Sequence, residues 1–278
     1  MAILGIAIQS NTGIPLYLQT WSEKLTGFTE GNPILISGFL SAVSSFANNF
    51  KQKISYIRLF PSEHDDPFGV NAVYSFIGAY MILCFVDPYQ FREMVNFKLD
   101  WIYSKVLSRY EDMIRVGKVP QLSDEELQFI QDILQDTVCW NKVDKKKNKL
   151  RIACNEIIKA EFPGEVYGIN ITSFDNSILF SYGVDREEVE IYLNNMARGH
   201  GLEDGEMLHN YVTLPGLEPR LLVMKNPGIR TKISDILRDV KADQGGLPFY
   251  YYLITDVNCA IEPIVESLTS KFNAILGE

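Results

Sequence analysis

The sequence predicts an α+β fold made of two copies of one module, each an antiparallel sheet of about five strands with flanking helices. Three observations predict it. Residues 5–21 hold two short apolar runs around Ser10, Asn11, Thr12 and Gly13, a hairpin signal. A helix signal follows. Asn32 suits the cap, Pro33 suits the first helical position, and Leu35, Phe39, Val43, Phe46, Ala47 and Phe50 recur at helical spacing as one broad apolar face. The same succession returns at residues 168–183, a hairpin around Asp175 and Asn176, and then a helix over 184–199.

Between the two copies the elements follow in order. Residues 54–60 read as a third strand, and the Pro-, Asp- and Gly-rich stretch 61–69 as a loop. Residues 71–77 and 79–86 read as adjacent strands, with Gly78 allowing the tight turn. Asp87 and Pro88 predict a helix start, and an apolar stripe from Phe91 to Tyr110 carries that helix to about Val116. Ser123 and Glu126 have capping-box spacing, which starts another helix ending near Val138. The charge run 142–149 reads as a solvated linker; its functional alternative is a contact to acidic lipid or an acidic partner. The expected domains are therefore 1–140 and 150–278, with a lysine-rich linker at 141–149.

The second half opens with a helix over 150–162, stopped by Pro163 and Gly164. After the hairpin, Asp185 and Glu188 have capping-box spacing with Asp in place of Ser or Thr. Strands are expected at 207–214 and 219–225, a short inserted helix at 231–241, a Tyr-rich strand at 249–256, and a last helix from about Glu262. Tyr251 either joins a strand buried on both faces or points outward.

Composition excludes several classes. The net charge is −9, divided as −1 over residues 1–150 and −8 over 151–278, which argues against nucleic acid as the main partner. Cys84, Cys139, Cys154 and Cys259 are widely spaced and read as buried free thiols in a reducing compartment. The longest apolar run, 76–86, falls short of the ~20 residues a bilayer span needs. A soluble, cytoplasmic chain is expected, peripheral at a membrane only through partners.

No catalytic pattern stands out. His64, His200 and His209 share no metal-ligand spacing, and neither a phosphate-loop motif nor a GxSxG elbow is present. No cofactor, metal or catalytic residue is therefore expected. Arg58, Arg198, Arg220 and Arg230 lie near loops or strand ends, where an activator of a nucleotide hydrolase offers its arginine. Salt-bridged surface arginines are the simpler reading. The sequon at Asn170 falls inside an expected strand and is discounted.

The phrase LISGFLSAVSSFA (35–47), directly after a hairpin holding SNTGIPLY (10–17), resembles longin domains. The second half, with NEII (155–158) closing a helix before GINITSFDNSILFSYG (168–183), resembles a roadblock domain, and the 231–241 insertion departs from that pattern. The resemblance implies two profilin-like modules acting as a non-enzymatic scaffold or regulatory subunit. It implies partners that are a small GTPase or other longin and roadblock subunits, in membrane-trafficking or signalling assemblies, with homo- or heterodimers formed. Exchange-factor or GTPase-activator activity with a partner subunit is the alternative; a small-ligand sensor domain is the alternative from another class.

One surface follows from this. Gly38, Ser41, Ala42, Ser45 and Asn49 form a small-residue track on the helix after the first hairpin. Packing on the domain's own sheet explains such a track. The resemblance implies instead a partner contact made by this track and the neighbouring strand, with Tyr56 and Arg58.

Overall fold

The computed structural model describes residues 3–25, 38, 41–43, 45–47, 49–60, 68–196, 200–214, 218–237 and 246–277. The chain divides into two units, Met1–Gln135 and Asp136–Glu278.

In the first unit, β1 (Ile3–Ser10) and β2 (Pro15–Thr20) form the expected hairpin. Its turn is closed by Gly13 N–H donating to Ser10 O at 2.9 Å, while Ser10 Oγ accepts from Ile14 N–H at 2.9 Å. Gly13 sits at φ +87°, a conformation that favours glycine. Strands β3 (Tyr56–Leu59), β4 (Val70–Ile77) and β5 (Tyr80–Val86) complete an antiparallel sheet of order β2-β1-β5-β4-β3. The central strands β1 and β5 are buried throughout, as strands covered on both faces must be. On one face Leu4, Ala7, Tyr74, Leu83 and Phe85 form a core that Ile54, Ile57 and Leu59 extend toward the β3 edge. The other face carries Ile6, Ile8, Ile82 and Cys84, paired across β1 and β5.

Helix α1 (Arg92–Lys105) buries Val95, Leu99 and Ile102. It is shorter than expected at both ends. Asp87 does not cap it. Its backbone N–H goes to Gln90 Oε1 and its carboxylate accepts from Tyr89 and Lys24, so a turn precedes the helix. At the far end Leu107–Tyr110 tightens into a 3₁₀ turn, and α2 (Glu111–Arg115) follows as a separate short helix. Two tyrosine hydroxyls hold this break: Tyr80 donates to Leu107 O at 2.7 Å, and Tyr110 to the Glu126 carboxylate at 2.9 Å. The capping box opens α3 (Asp124–Leu134) as read, with Ser123 and Glu126 satisfying each other's backbone N–H groups.

The second unit opens on a helix where a linker is expected. The lysine run 141–149 is not a linker; it lies inside α4 (Thr137–Glu156), which continues as a π turn over Ile157–Glu161. Cys139, Val143, Leu150, Ala153 and Cys154 are buried along one side of α4, so the apolar stripe, not the charge, sets its structure. Strands β6 (Val166–Thr172) and β7 (Ile178–Tyr182) form the second hairpin, turned at Asn176 with φ +73°. Asp185 caps α5 (Arg186–Asn195), accepting from Glu188 N–H at 2.8 Å. Strands β8 (Met207–Val212) and β9 (Arg220–Lys225) follow. A two-stranded ribbon of β10 (Arg230–Thr231) and β11 (Leu247–Pro248) brackets the insertion. Within it α6 (Ile233–Ile236) is one turn long, and the rest of the expected 231–241 helix, from 238 on, lies outside the described residues.

Strand β12 (Tyr250–Thr255) is buried at every position, Tyr251 included, and closes a sheet of order β7-β6-β12-β9-β8. Tyr251 donates to Asn273 Oδ1 of α7 (Ile261–Gly277) at 2.9 Å and meets the Phe272 ring edge-on. Numbered from its own first strand, each sheet has the order 2-1-5-4-3 with every pairing antiparallel. The protein is thus α+β, with two five-stranded antiparallel sheets of one topology and flanking helices.

A candidate interaction surface at the edge of the first sheet

Among the described residues strand β3 ends the first sheet, and one of its backbone edges has no neighbour there within that sheet. Such an edge presents unpaired N–H and C=O groups. The segment that follows the first hairpin is helical at residues 38, 41–43, 45–47 and 49. Residues 33–37, 39 and 40, with Leu35 and Phe39 of the expected apolar face, lie outside the described residues.

The small track divides into two parts. Ser41 is half-buried, and Gln9 Nε2 donates to its hydroxyl at 3.0 Å. A Cβ on Gly13 would approach that hydroxyl to 2.6 Å, so Ser41 belongs to the packing on the sheet. Gly38, Ala42, Ser45 and Asn49 are exposed. These four positions follow one stripe at spacings of four, three and four residues. A cleft of about 610 Å³ opens beside them, lined by Ser41 and Ser45 together with Asn11, Thr12, Lys53 and Phe76.

The broad apolar face of this helix is only partly used by the sheet. Val43 and Ala47 are half-buried, but Phe46 and Phe50 are 65% and 63% exposed, with rings 5.0 Å apart in an edge-to-face pair. The expected broad apolar face therefore leaves both phenylalanines largely in solvent. At about 100° per residue the stripe from Leu35 to Phe50 spans about 120°, the ordinary width of a core-facing face, so its pattern does not mark Phe46 and Phe50 as exposed.

On β3 the alternation continues this aromatic chemistry. Tyr56 and Arg58 are exposed, while Ile57 and Leu59 point to the core. The Arg92 guanidinium lies 4.9 Å from the Tyr56 ring centre. Arg58 donates from Nε and Nη2 to Phe68 O at 3.0 and 2.8 Å and stands 5.2 Å from the centre of the Phe60 ring. Phe60 is 62% exposed at the strand's end. Phe46, Phe50, Tyr56 and Phe60 thus leave four aromatic rings in solvent within one unit, and guanidiniums stack on two of them. Exposed aromatic and arginine side chains are the enriched chemistry of protein interfaces.

Among the described residues no group of three or more His, Cys, Asp or Glu side chains is placed to hold a metal ion. His200 and His209 are exposed, and His64 lies outside the described residues. Burial pushes the Cys154 thiol up to about 12, so it stays protonated at neutral pH. Arg220 stacks 3.7 Å from the Tyr167 ring centre and faces Glu218, and Arg230 pairs with Asp204 at 2.7 Å. Arg198 lies outside the described residues. Asn170 of the sequon is fully buried in β6.

The chain matches no family model and no curated protein sequence. No described helix is long and apolar enough to cross a membrane.

Proposed function

We propose that the chain is a non-enzymatic docking module: a scaffold or regulatory subunit that binds a small GTPase or another subunit of its own architecture through the β3 edge and the helix after the first hairpin. The observation that carries this reading is the exposure, within one unit, of Gly38, Ala42, Ser45, Phe46, Asn49, Phe50, Tyr56 and Phe60. Small side chains allow close backbone approach, aromatic rings supply apolar area, and the strand edge supplies backbone hydrogen bonds. Repetition of one topology in two units and the resemblance to longin and roadblock sequences support the class of partner.

The test uses the full chain as bait for purified small GTPases loaded with GDP or a GTP analogue, beside a Phe46→Ser/Phe50→Ser double variant. Both rings are largely exposed, so folding changes by no more than about 1 kcal/mol in total. Binding by the native chain that falls at least tenfold in the variant supports the reading. Equal binding by both proteins places the contact elsewhere. Nucleotide release measured in the same mixtures distinguishes a scaffold from an exchange factor.

A further inference from the structure

The lysine run is unused by the docking edge just described, and its helical form gives it a definite surface. The side of α4 opposite its buried stripe faces solvent. Asn141, Asn148, Ile152 and Asn155 run along its middle and are exposed. Lys145 and Lys149 flank that line on one side, and Lys147 and Arg151 on the other, each pair one turn apart. All four are exposed. From Lys142 to Arg151 the chain carries six cations against one acid, Asp144, in a protein of net charge −9. Asp144 lies 3.6 Å from Lys147, and Glu156 at the helix end pairs with Lys271 of α7 at 2.7 Å; the positive excess of the run is that of its composition, six cations to one acid. Trp140 and Ile152, at opposite ends of this face, are 47% and 63% exposed.

We propose that this face of α4 docks on an anionic membrane, with lysine ammonium groups over lipid phosphates and carboxylates. Charge complementarity is the first argument: cations concentrated on one helix of an acidic chain meet a surface of opposite sign. The kind of cation is the second. Five of the six are lysines, which hold anions as point charges without the forked geometry that arginine uses for protein carboxylates. A fluid bilayer needs no fixed geometry, because headgroups move under the charges. The third argument is Trp140, whose amphipathic ring suits the headgroup layer. The asparagines along the middle prevent deep insertion, so the contact is superficial and electrostatic. The inference does not rest on the docking edge of the first unit and does not require a GTPase.

Sedimentation of the full chain with vesicles tests it. One set is phosphatidylcholine alone, and the other contains about 30 mol% phosphatidylserine, in about 0.1 M salt. Binding to the second set only, lost on raising the salt, is expected. Each exposed cation contributes about fivefold in affinity, so Lys145→Gln/Arg151→Gln binds about 25-fold more weakly with an unchanged melting curve. Trp140→Phe reduces the spectral shift of tryptophan emission on anionic vesicles. Three results overturn the proposal: no binding to anionic vesicles, equal binding to neutral ones, or full binding by the double variant. Affinity for soluble polyglutamate without vesicle binding also overturns it and assigns the face to an acidic polypeptide.

Discussion

Ser41 and Ser45 stand one turn apart on the same small track, and their arginine substitutions are expected to act on different properties. Ser45 is exposed, so the longer side chain of Ser45→Arg extends into solvent and blocks approach to the track without displacing anything. Its effect on folding stays within about 0.5 kcal/mol. Ser41 accepts the Gln9 amide, and Gln9 is buried in β1 with its Oε1 atom already unpartnered. Ser41→Arg removes the acceptor, leaves the Gln9 amide without either bond, and forces the new side chain's stem toward Gly13. The lost bond costs about 1–3 kcal/mol. For a unit of this size that lowers the melting temperature by roughly 3–12 °C. Thermal melts by circular dichroism, paired with analytical ultracentrifugation and the GTPase capture, separate the two. Equal melting of Ser41→Arg and native protein refutes the inward placement of Ser41. A large melting loss for Ser45→Arg refutes the outward placement of Ser45, and unchanged partner binding by that variant refutes the docking edge.

Three further outcomes are expected. Tyr251→Phe deletes a buried hydroxyl bond to Asn273 and destabilises the second unit by about 1 kcal/mol, read as a shifted urea midpoint; no shift means that the bond contributes nothing net. Asn170→Leu replaces a fully buried amide whose two polar atoms have no partner, and is expected to raise the melting temperature; a fall means that water or a ligand satisfies the amide, which favours the sensor reading. Glu111 is held below the usual carboxylate range by the Tyr103 hydroxyl at 2.6 Å, aided by Ala79 N–H and Arg115, against a desolvation effect of opposite sign. A carboxylate lowered in the folded state stabilises fully above its unfolded value of about 4.3, and that contribution is lost as pH falls through the folded value. Melting temperature is therefore expected to fall between about pH 5 and 3, less steeply in Glu111→Gln; identical slopes would refute the role of this carboxylate.

Much of the architecture is legible in the sequence because its signals are local. The hairpin at Ser10–Gly13, the glycine at 78, the Ser123–Glu126 capping box and the Asp185 cap all depend on dihedral angles and bonds within a few residues. The recurrence of hairpin and helix already implies two related modules, and both sheets have the same order. The site is only half legible. Gly38, Ala42, Ser45 and Asn49 are recognisable as one stripe, but the exposure of Phe46 and Phe50 is not, since the hydrophobic pattern alone does not say how much of it a sheet covers.

What only the tertiary structure decided is which apolar groups find partners. The stripe Cys139, Val143, Leu150 and Cys154 is visible among the lysines at spacings of four, seven and four, yet charge density masks it. Packing against α7 turns that run into helix. In the same way Tyr251 is turned inward by Asn273, 22 residues away in sequence, and by the Phe272 ring beside it. Short-range hydrogen bonding sets where elements begin and end. Burial is a non-local quantity, settled only when distant segments meet, and so the sequence alone determined the parts while the fold determined which faces remain exposed.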